Sequence, residues 1–278
     1  QSLSNFEIFD IFKKNKRILL FLFSSQILSM DHAIINVMRT DKCQNYKYPD
    51  FFNPEIQNFL DKTPIENVLK LSHKDFDQKR KIGENDSYIC ELIRKDSVEE
   101  FISYVNKTNF NLESTIDKSV YETNHYFLKN MNINLIDYAA FFGSIQIFKY
   151  LLLNKVKLTK SLIFSAIHGN NAEIIQILEN SQIQQSSIEK ILIESIKCHH
   201  NDIANYILDN YVSKDESYQN DVIYSFHYYN FWFIKNSNEI EKKIDFVFYY
   251  ACQYNYFTLV KFFIDERKIN VNKEIIQI

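Results

Sequence analysis

The chain has 278 residues, enough for one large domain or two ordinary ones, each with a sizeable core. Apolar residues make up 46%, which argues against disorder, while three Gly and three Pro are too few for turn-rich all-β folds or Gly-rich nucleotide cradles. The formal net charge of -3 disfavours nucleic acid or an anionic membrane as the partner.

Residues 1–85 are predicted to form a non-repeating helical cap. Two or three helices are expected up to about residue 60, where Pro49 and Pro54 are predicted to bracket a turn. Residues 74–87 are the most polar stretch, and the cations from Lys79 to Lys81 favour a solvated linker over a nuclear-localisation signal. The most apolar run, residues 18–23, is far shorter than the roughly 18 residues that span a bilayer.

Residues 86–278 are predicted to be an array of about six helical repeat units. The first unit lies within residues 86–105 and breaks at Asp96 or Ser97. About 47 residues separate this break from the next one, at Gly143, which is too many for one repeat. An inserted loop or short helix is therefore expected near residues 106–130.

Four later segments show the repeat most clearly. Each has a small residue, three intervening residues, a break, and then a helix with apolar residues at i, i+1, i+3 and i+4. The small residues recur at steps of 27, 29 and 56, and they are Ala139, Ala166, Ser195 and Ala251. Because 56 is twice 28, one weaker unit is predicted near residues 224–234, with its break at Asn230.

The break residues fit a backbone requirement. A helix that ends and reverses within two residues usually passes through positive φ, which Gly adopts most easily and Asn, Asp or His next. The five predicted breaks are Gly143, Asn170, His199, Asn230 and Asn255. A small residue four positions earlier lets neighbouring first helices approach closely, so helix is expected to stack on helix throughout. The predicted fold class is therefore all-α, a helical repeat solenoid.

The array resembles ankyrin repeats. Residues 134–152, NLIDYAAFFGSIQIFKYLL, are similar to the ankyrin pattern TPLHxAAxxGxxEIVxLL, and residues 269–272, INVN, are similar to the ADVN that closes a repeat. Residues 89–94, 99–106 and 121–124 are similar to the expanded ankyrin-like proteins of trichomonad parasites. The Thr-Pro and hairpin Gly of the consensus are absent, and the period of 27 to 31 is shorter than about 33. The resemblance thus implies fingers trimmed to loops and binding through the helical concave face.

The resemblance also implies where a partner binds. In ankyrin repeats the two positions before the break point into the concave groove and contact partners, and aromatic residues are frequent anchors of interfaces. The candidate partner-binding residues are Phe141, Phe142, His168, Lys197, Tyr228, Tyr229, Gln253 and Tyr254. The alternative is that these side chains pack against the inserted loop or the next helix.

Sequence motifs for chemistry are absent. The chain has no GxSxG, HExxH, GxGxxG or GxxxxGK[ST], so it is not predicted to be an enzyme and no cofactor is expected. The run from Cys198 to His200 is the only local cluster of metal-capable residues, but no second ligand pair follows at the usual spacing, so no metal site is predicted. The four cysteines stand far apart, which favours a reduced compartment.

These observations predict a non-catalytic protein interaction module with a protein partner, without nucleic acid or membrane insertion. The rival functions are a structural scaffold or spacer that self-associates through its open end, a nucleic-acid binder and an enzyme. The expected location is intracellular, in the cytoplasm or the nucleus.

Overall fold

The computed structural model describes residues 3–40, 47–60, 70–130, 132–179, 187–212, 218–231 and 244–269. Across these ranges the regular secondary structure is entirely α-helical, so the predicted all-α class is confirmed. None of the described helices has both the length and the apolar character needed to cross a bilayer. The chain divides into two compact units, Gln1–Tyr138 and Ala139–Ile278, while the predicted boundary at residue 85 stays a prediction.

Up to residue 60, the described part of the first unit has five helices: α1 Asn5–Phe12, α2 Lys16–Ser24, α3 His32–Met38, α4 Tyr48–Phe51 and α5 Asn53–Leu60. Side-chain oxygens of Ser4, Asn15 and Asp31 accept hydrogen bonds from backbone amides of the first turns of α1, α2 and α3, which explains where these helices start. Their apolar faces form one core, which includes Phe9, Leu19, Ile34, Met38, Tyr48, Phe51 and Phe52.

The predicted turn between Pro49 and Pro54 is a single residue, Phe52, which separates two short helices. Both prolines lie in the first turns of the short helices α4 and α5. A proline fits there because the first amides of a helix have no intrahelical carbonyl to bind. The two prolines therefore start helices.

The predicted linker over residues 74–87 is wrong for its first part, since α6 runs over Lys70–Ile82, while residues 83–87 form no helix. Arg80 is only 6% exposed, and its guanidinium pairs with Glu55 at 2.8 Å and Asp77 at 2.6 Å. It also donates a hydrogen bond to the Phe51 carbonyl at 3.0 Å. A single buried arginine thus packs a polar helix onto the N-terminal core, which average polarity does not reveal.

A first helix pair follows, with α7 at Tyr88–Arg94 and α8 at Val98–Thr108. Asp96 between them has φ 50°, so of the two predicted break residues it is Asp96 that takes the left-handed conformation. Residues 110–124 then run without a helix to the short α9, His125–Lys129. Lys16 of α2 is fully buried and donates to the carbonyls of Val120 at 3.1 Å and Glu122 at 3.0 Å, which ties this segment to α2.

In its described residues the second unit has four helix pairs and one further first helix, Tyr218–His227. The helices are α10 Leu135–Phe141, which begins before the unit boundary, α11 Ile145–Leu153, α12 Leu162–Gly169, α13 Ala172–Leu178, α14 Ile188–Lys197, α15 Asn201–Tyr211, α16 Tyr218–His227, α17 Ile244–Gln253 and α18 Phe257–Asp265. First helices pack side by side, α12 against α14, α14 against α16 and α16 against α17. Among second helices, α11 packs against α13.

Four of the five predicted breaks are confirmed, and the fifth is wrong. Gly143, Asn170, His199 and Asn255 have φ of 66°, 48°, 59° and 59°. At the remaining turn, which follows α16, the left-handed residue is Tyr229, with φ 59°. Asn230 is the next residue, and its buried side chain donates to the carbonyl of Ile196 at 2.9 Å in the preceding pair. Asn230 therefore joins neighbouring pairs.

With this correction, each of the five turns has a small, fully buried residue four positions earlier: Ala139, Ala166, Ser195, Ser225 and Ala251. At four of these turns its carbonyl accepts a hydrogen bond from the amide just after the turn residue, for example His200 to Ser195 at 3.0 Å. This is the bond that closes a helix ending in a left-handed residue. The small residue thus allows close packing, and its carbonyl also closes the helix end.

Candidate functional site

The candidate site is a row of side chains at the ends of the first helices. We define the pre-turn row as the two residues before each left-handed turn of the second unit: Phe141, Phe142, His168, Gly169, Lys197, Cys198, His227, Tyr228, Gln253 and Tyr254. Seven of the eight predicted partner-binding residues lie in it. Tyr229 does not, because it is itself the turn residue, where it is 65% exposed and meets the Tyr256 ring at 5.4 Å. His227 and Cys198 were missed.

At the start of the row, aromatic side chains contact the next pair. The rings of Phe141 and His168 stack with centroids 4.9 Å apart and an interplanar angle of 21°. Phe142 meets Phe141 edge-on at 5.2 Å, and all three side chains are half-buried. Phe141 therefore packs on the next helix pair, as the alternative interpretation of the predicted site proposed.

In the middle of the row a polar cluster joins α12 to α14. Nε2 of His168 lies 2.8 Å from a carboxylate oxygen of Glu194, and Lys197 pairs with the same oxygen at 2.7 Å. Sγ of Cys198, one turn after Glu194, lies 3.5 Å from Nδ1 and 3.7 Å from Nε2 of His168. Imidazole, carboxylate and thiol thus meet, with ligand atoms all within 4.8 Å of one another.

The environment determines the charges in this cluster. Burial acts to raise the pKa of Glu194, but hydrogen bonds from His168 and Lys197 outweigh it and lower that pKa. Burial, with a further contribution from the Glu194 carboxylate, raises the pKa of Cys198 to about 12. The thiol is therefore protonated at neutral pH, which is the opposite of what an activated cysteine nucleophile needs.

The adjoining histidines have other contacts. Nε2 of His199 lies 3.0 Å from the carbonyl oxygen of Tyr228, which joins the turn of one pair to the row of the next. His200 hydrogen-bonds to the backbone of His168, and burial lowers the pKa of His200. The local sequence run from Cys198 to His200 is therefore not the cluster that forms; Cys198 meets His168 and Glu194 instead.

At the far end the row becomes aromatic and more exposed. His227 meets Tyr228 edge-on at 4.7 Å and Tyr254 of the next pair at 5.8 Å. His227 and Gln253 are exposed, while Tyr228 and Tyr254 are half-buried. The hydroxyl groups and ring edges of the two tyrosines can bind both polar and apolar atoms of a ligand.

A separate groove lies between the second helices α13 and α15. It has a volume of about 440 Å³ and is lined by Ile175, Ile203, Tyr206 and Glu179, among others. The hydroxyls of Tyr206, at 2.6 Å, and of Tyr211 both donate to the Glu179 carboxylate, which lowers the pKa of Glu179. This groove holds none of the predicted site residues.

The signal that would have found His227 was present in the sequence. Ser225 stands 30 residues after Ser195 and 26 before Ala251, and alignment on it makes His227 the partner of His168 and Lys197 in the row. The cluster of His168, Glu194 and Cys198 has no such signal, because its members come from two pairs. Comparison of the chain with protein-family models, with curated proteins and with solved structures gave no significant match.

Proposed function

We propose that this chain is an ankyrin-like helical repeat array that binds a protein partner through its pre-turn row, without catalysis. Three features support the repeat assignment: paired helices, a left-handed residue at each turn, and a buried small residue four positions earlier. Stacked helix pairs of this kind create extended surfaces that other proteins can bind.

The observation that carries the proposed function is the aromatic end of the row. His227, Tyr228, Gln253 and Tyr254 line up on two neighbouring pairs, each exposed or half-buried. Tyrosines that lose little side-chain entropy on binding are enriched among the residues that dominate interface energies. We expect this end to supply most of the binding energy, and Phe141 to contribute mainly through packing within the array.

The test uses a double variant of the two row tyrosines, Tyr228→Ala with Tyr254→Ala. Proteins that co-purify with the wild-type chain are quantified by mass spectrometry, and the affinity of the main partner is then measured. We expect the double variant to weaken binding by roughly 30-fold or more, as loss of anchor residues does.

The matched control is Tyr206→Ala on α15, since Tyr206 is 38% exposed but lies in the groove between second helices. This control should bind as the wild type does. Equal binding by the double variant, with its helicity intact by circular dichroism, would rule out the proposed surface.

Self-association is a second candidate function, and α18 favours it. Its exposed apolar side chains are Phe257 at 77%, Phe262 at 43% and Ile264 at 41%. A patch of this kind is typical of surfaces that another chain covers. Light scattering should show an oligomer that dissociates in Phe257→Ser with Phe262→Ser. A wild-type monomer at micromolar concentration would exclude this candidate.

A further inference from the structure

We propose that His168, Glu194 and Cys198 form a binding site for Zn²⁺ with three protein ligands. The site joins two consecutive helix pairs, since His168 lies at the end of α12, Glu194 lies on α14 and Cys198 caps the C-terminus of α14. His168 and Cys198 belong to the pre-turn row, but zinc binding requires only these three side chains and the metal, so it does not depend on a partner.

Two of the three distances between the ligand atoms are close to those of a tetrahedral zinc site, and all three atoms lie within 4.8 Å of one another. With Zn–N and Zn–O of about 2.0 Å and Zn–S of about 2.3 Å, ligand atoms lie about 3.3 Å (N to O) and about 3.5 Å (N to S) apart. The Cys198 Sγ to His168 Nε2 distance is 3.7 Å, near the required value. The Nε2 to Glu194 Oε1 distance is 2.8 Å and needs to open by only about 0.5 Å.

The kinds of ligand select the metal. A thiolate with an imidazole binds Zn²⁺ far better than Mg²⁺ or Ca²⁺, which prefer sets made of oxygen atoms. Three protein ligands leave a fourth position for water, as in open zinc sites. His168 and Glu194 are 19% and 17% exposed, so a hydrated ion can reach the site while most of the surrounding water is excluded.

The fold already positions all three ligands. Glu194, in the last turn of α14, and Cys198, its C-cap residue with helical φ and ψ, are four residues apart and therefore share one face of that helix end. That face meets α12, and the stacked Phe141 ring limits how far the His168 imidazole can turn. Residues that orient a ligating histidine contribute to metal affinity.

The effect of substituting Lys197 on zinc affinity distinguishes a metal site from a purely structural hydrogen-bond network. Its ammonium group pairs with Glu194 at 2.7 Å, so it competes with a cation for the carboxylate. Replacing Lys197 by Met removes this competition and keeps most of the apolar stem. We expect Lys197→Met to bind Zn²⁺ about 5-fold more tightly, the effect of removing one like charge about 4 Å away in water. A structural network would instead only lose an ion pair.

The experiment titrates the full chain, kept reduced, with Zn²⁺ by calorimetry, and with Co²⁺ as a spectroscopic probe of thiolate ligation. One ion per chain and a thiolate-to-cobalt charge-transfer band are expected. Cys198→Ser and His168→Gln should each weaken binding by at least about 10-fold and lose the band, since even supporting residues of metal sites contribute that much.

Cys252→Ser is the matched control, because Cys252 is an exposed free cysteine on α17, away from the cluster. It should keep the wild-type affinity and spectrum. Absence of stoichiometric binding to the wild type overturns the proposal, as does binding that survives in both Cys198→Ser and His168→Gln. If those two variants do not fold, Lys197→Met decides, and unchanged or weaker Zn²⁺ binding there overturns it.

Discussion

Of the two glycines in the second unit, Gly169 has less room for a side chain than Gly143. A Cβ atom added to it would lie 2.1 Å from the carbonyl oxygen of Ala140 and 2.9 Å from the amide nitrogen of Gly143, both in the preceding pair. In an open helix, Gly→Ala stabilises by about 1 kcal/mol. Here the contact is with backbone that cannot move aside, so we expect Gly169→Ala to destabilise the chain by roughly 1–3 kcal/mol in urea unfolding.

Gly143→Asn serves as the comparison for this prediction. Gly143 has φ 66°, which Asn tolerates, and an added Cβ would lie 3.0 Å from the Gly169 carbonyl oxygen. We expect it to be less harmful than Gly169→Ala. A Gly169→Ala chain that is more stable than the wild type would show that α12 does not approach α10 so closely.

Tyr229 and Asn230 provide a prediction about which residue makes the fourth turn. A tyrosine at φ 59° costs about 1–2 kcal/mol relative to glycine, so Tyr229→Gly should be close to neutral despite the lost ring contact. Asn230→Gly removes hydrogen bonds to the Ile196 carbonyl and the Asn201 side chain, and should destabilise by about 1–3 kcal/mol. Chemical denaturation of both variants checks this, and the reverse order would restore Asn230 as the turn residue.

At the scale of the helices, Lys16 links α2 to residues 120–122, and this link depends on pH. Burial lowers the pKa of Lys16 to about 7, although the Glu122 carboxylate acts to raise it and Lys47 to lower it. The unfolded chain holds this proton up to about pH 10.4, while the folded chain loses it above about pH 7. Because the unfolded state binds more protons in this window, stability rises with pH.

We therefore expect the free energy of unfolding to gain about 2 kcal/mol from this group between pH 7 and pH 9. Above pH 9 this gain in stability is opposed by Cys90, because burial raises the pKa of its thiol to about 11. The unfolded chain then loses that proton at a lower pH than the folded chain does, which lowers stability as the pH rises. Urea unfolding of wild type and Lys16→Met at pH 7, 8 and 9 measures the difference. Lys16→Met should be less stable overall, because it leaves the Val120 and Glu122 carbonyls without their donor, but its curve should lack this slope. Parallel pH profiles would contradict the prediction.

The turns between helices could be predicted from the sequence where a local rule determines the residue type. A left-handed turn restricts the residue type, so Gly143, Asn170, His199 and Asn255 could be found from their spacing. The same rule predicts the wrong residue at the fourth turn. It favours asparagine, and so Asn230, but the left-handed residue is Tyr229, four positions after the buried small residue Ser225. Alignment of the repeats on Ser225 places the turn at Tyr229.

Other features depend on contacts between distant residues, and a single sequence does not contain that information. The helix α6 was missed because its polar composition resembles a linker, and the contacts of Arg80 with Glu55 and Phe51 show that it packs on a core. The cluster of His168, Glu194 and Cys198 was missed because helix pairs bring together residues 26 and 30 positions apart. Motif searches look for ligands at short fixed spacing.

At the scale of the whole molecule, stability is expected to be uneven along the second unit. In α12 five residues are buried: Leu162, Ile163, Ser165, Ala166 and Ile167. In α18 the only buried residue is Phe263, and the exposed Phe257 and Phe262 leave much of its apolar surface in water. Because stability in stacked helix pairs is roughly a sum of terms from neighbours, α18 should open more easily than α12.

Hydrogen exchange followed by mass spectrometry tests this expectation directly. We expect amides of α18 to have protection factors at least about tenfold smaller than those of α12, because partial opening of the last pair exposes few apolar groups. If the chain oligomerises through Phe257 and Phe262, the partner chain covers the exposed apolar surface of α18. The protection factors of α18 should then rise with protein concentration. Equal protection of α12 and α18 in a dilute monomer would mean that the second unit unfolds as one cooperative block, which contradicts nearest-neighbour stacking of its helix pairs.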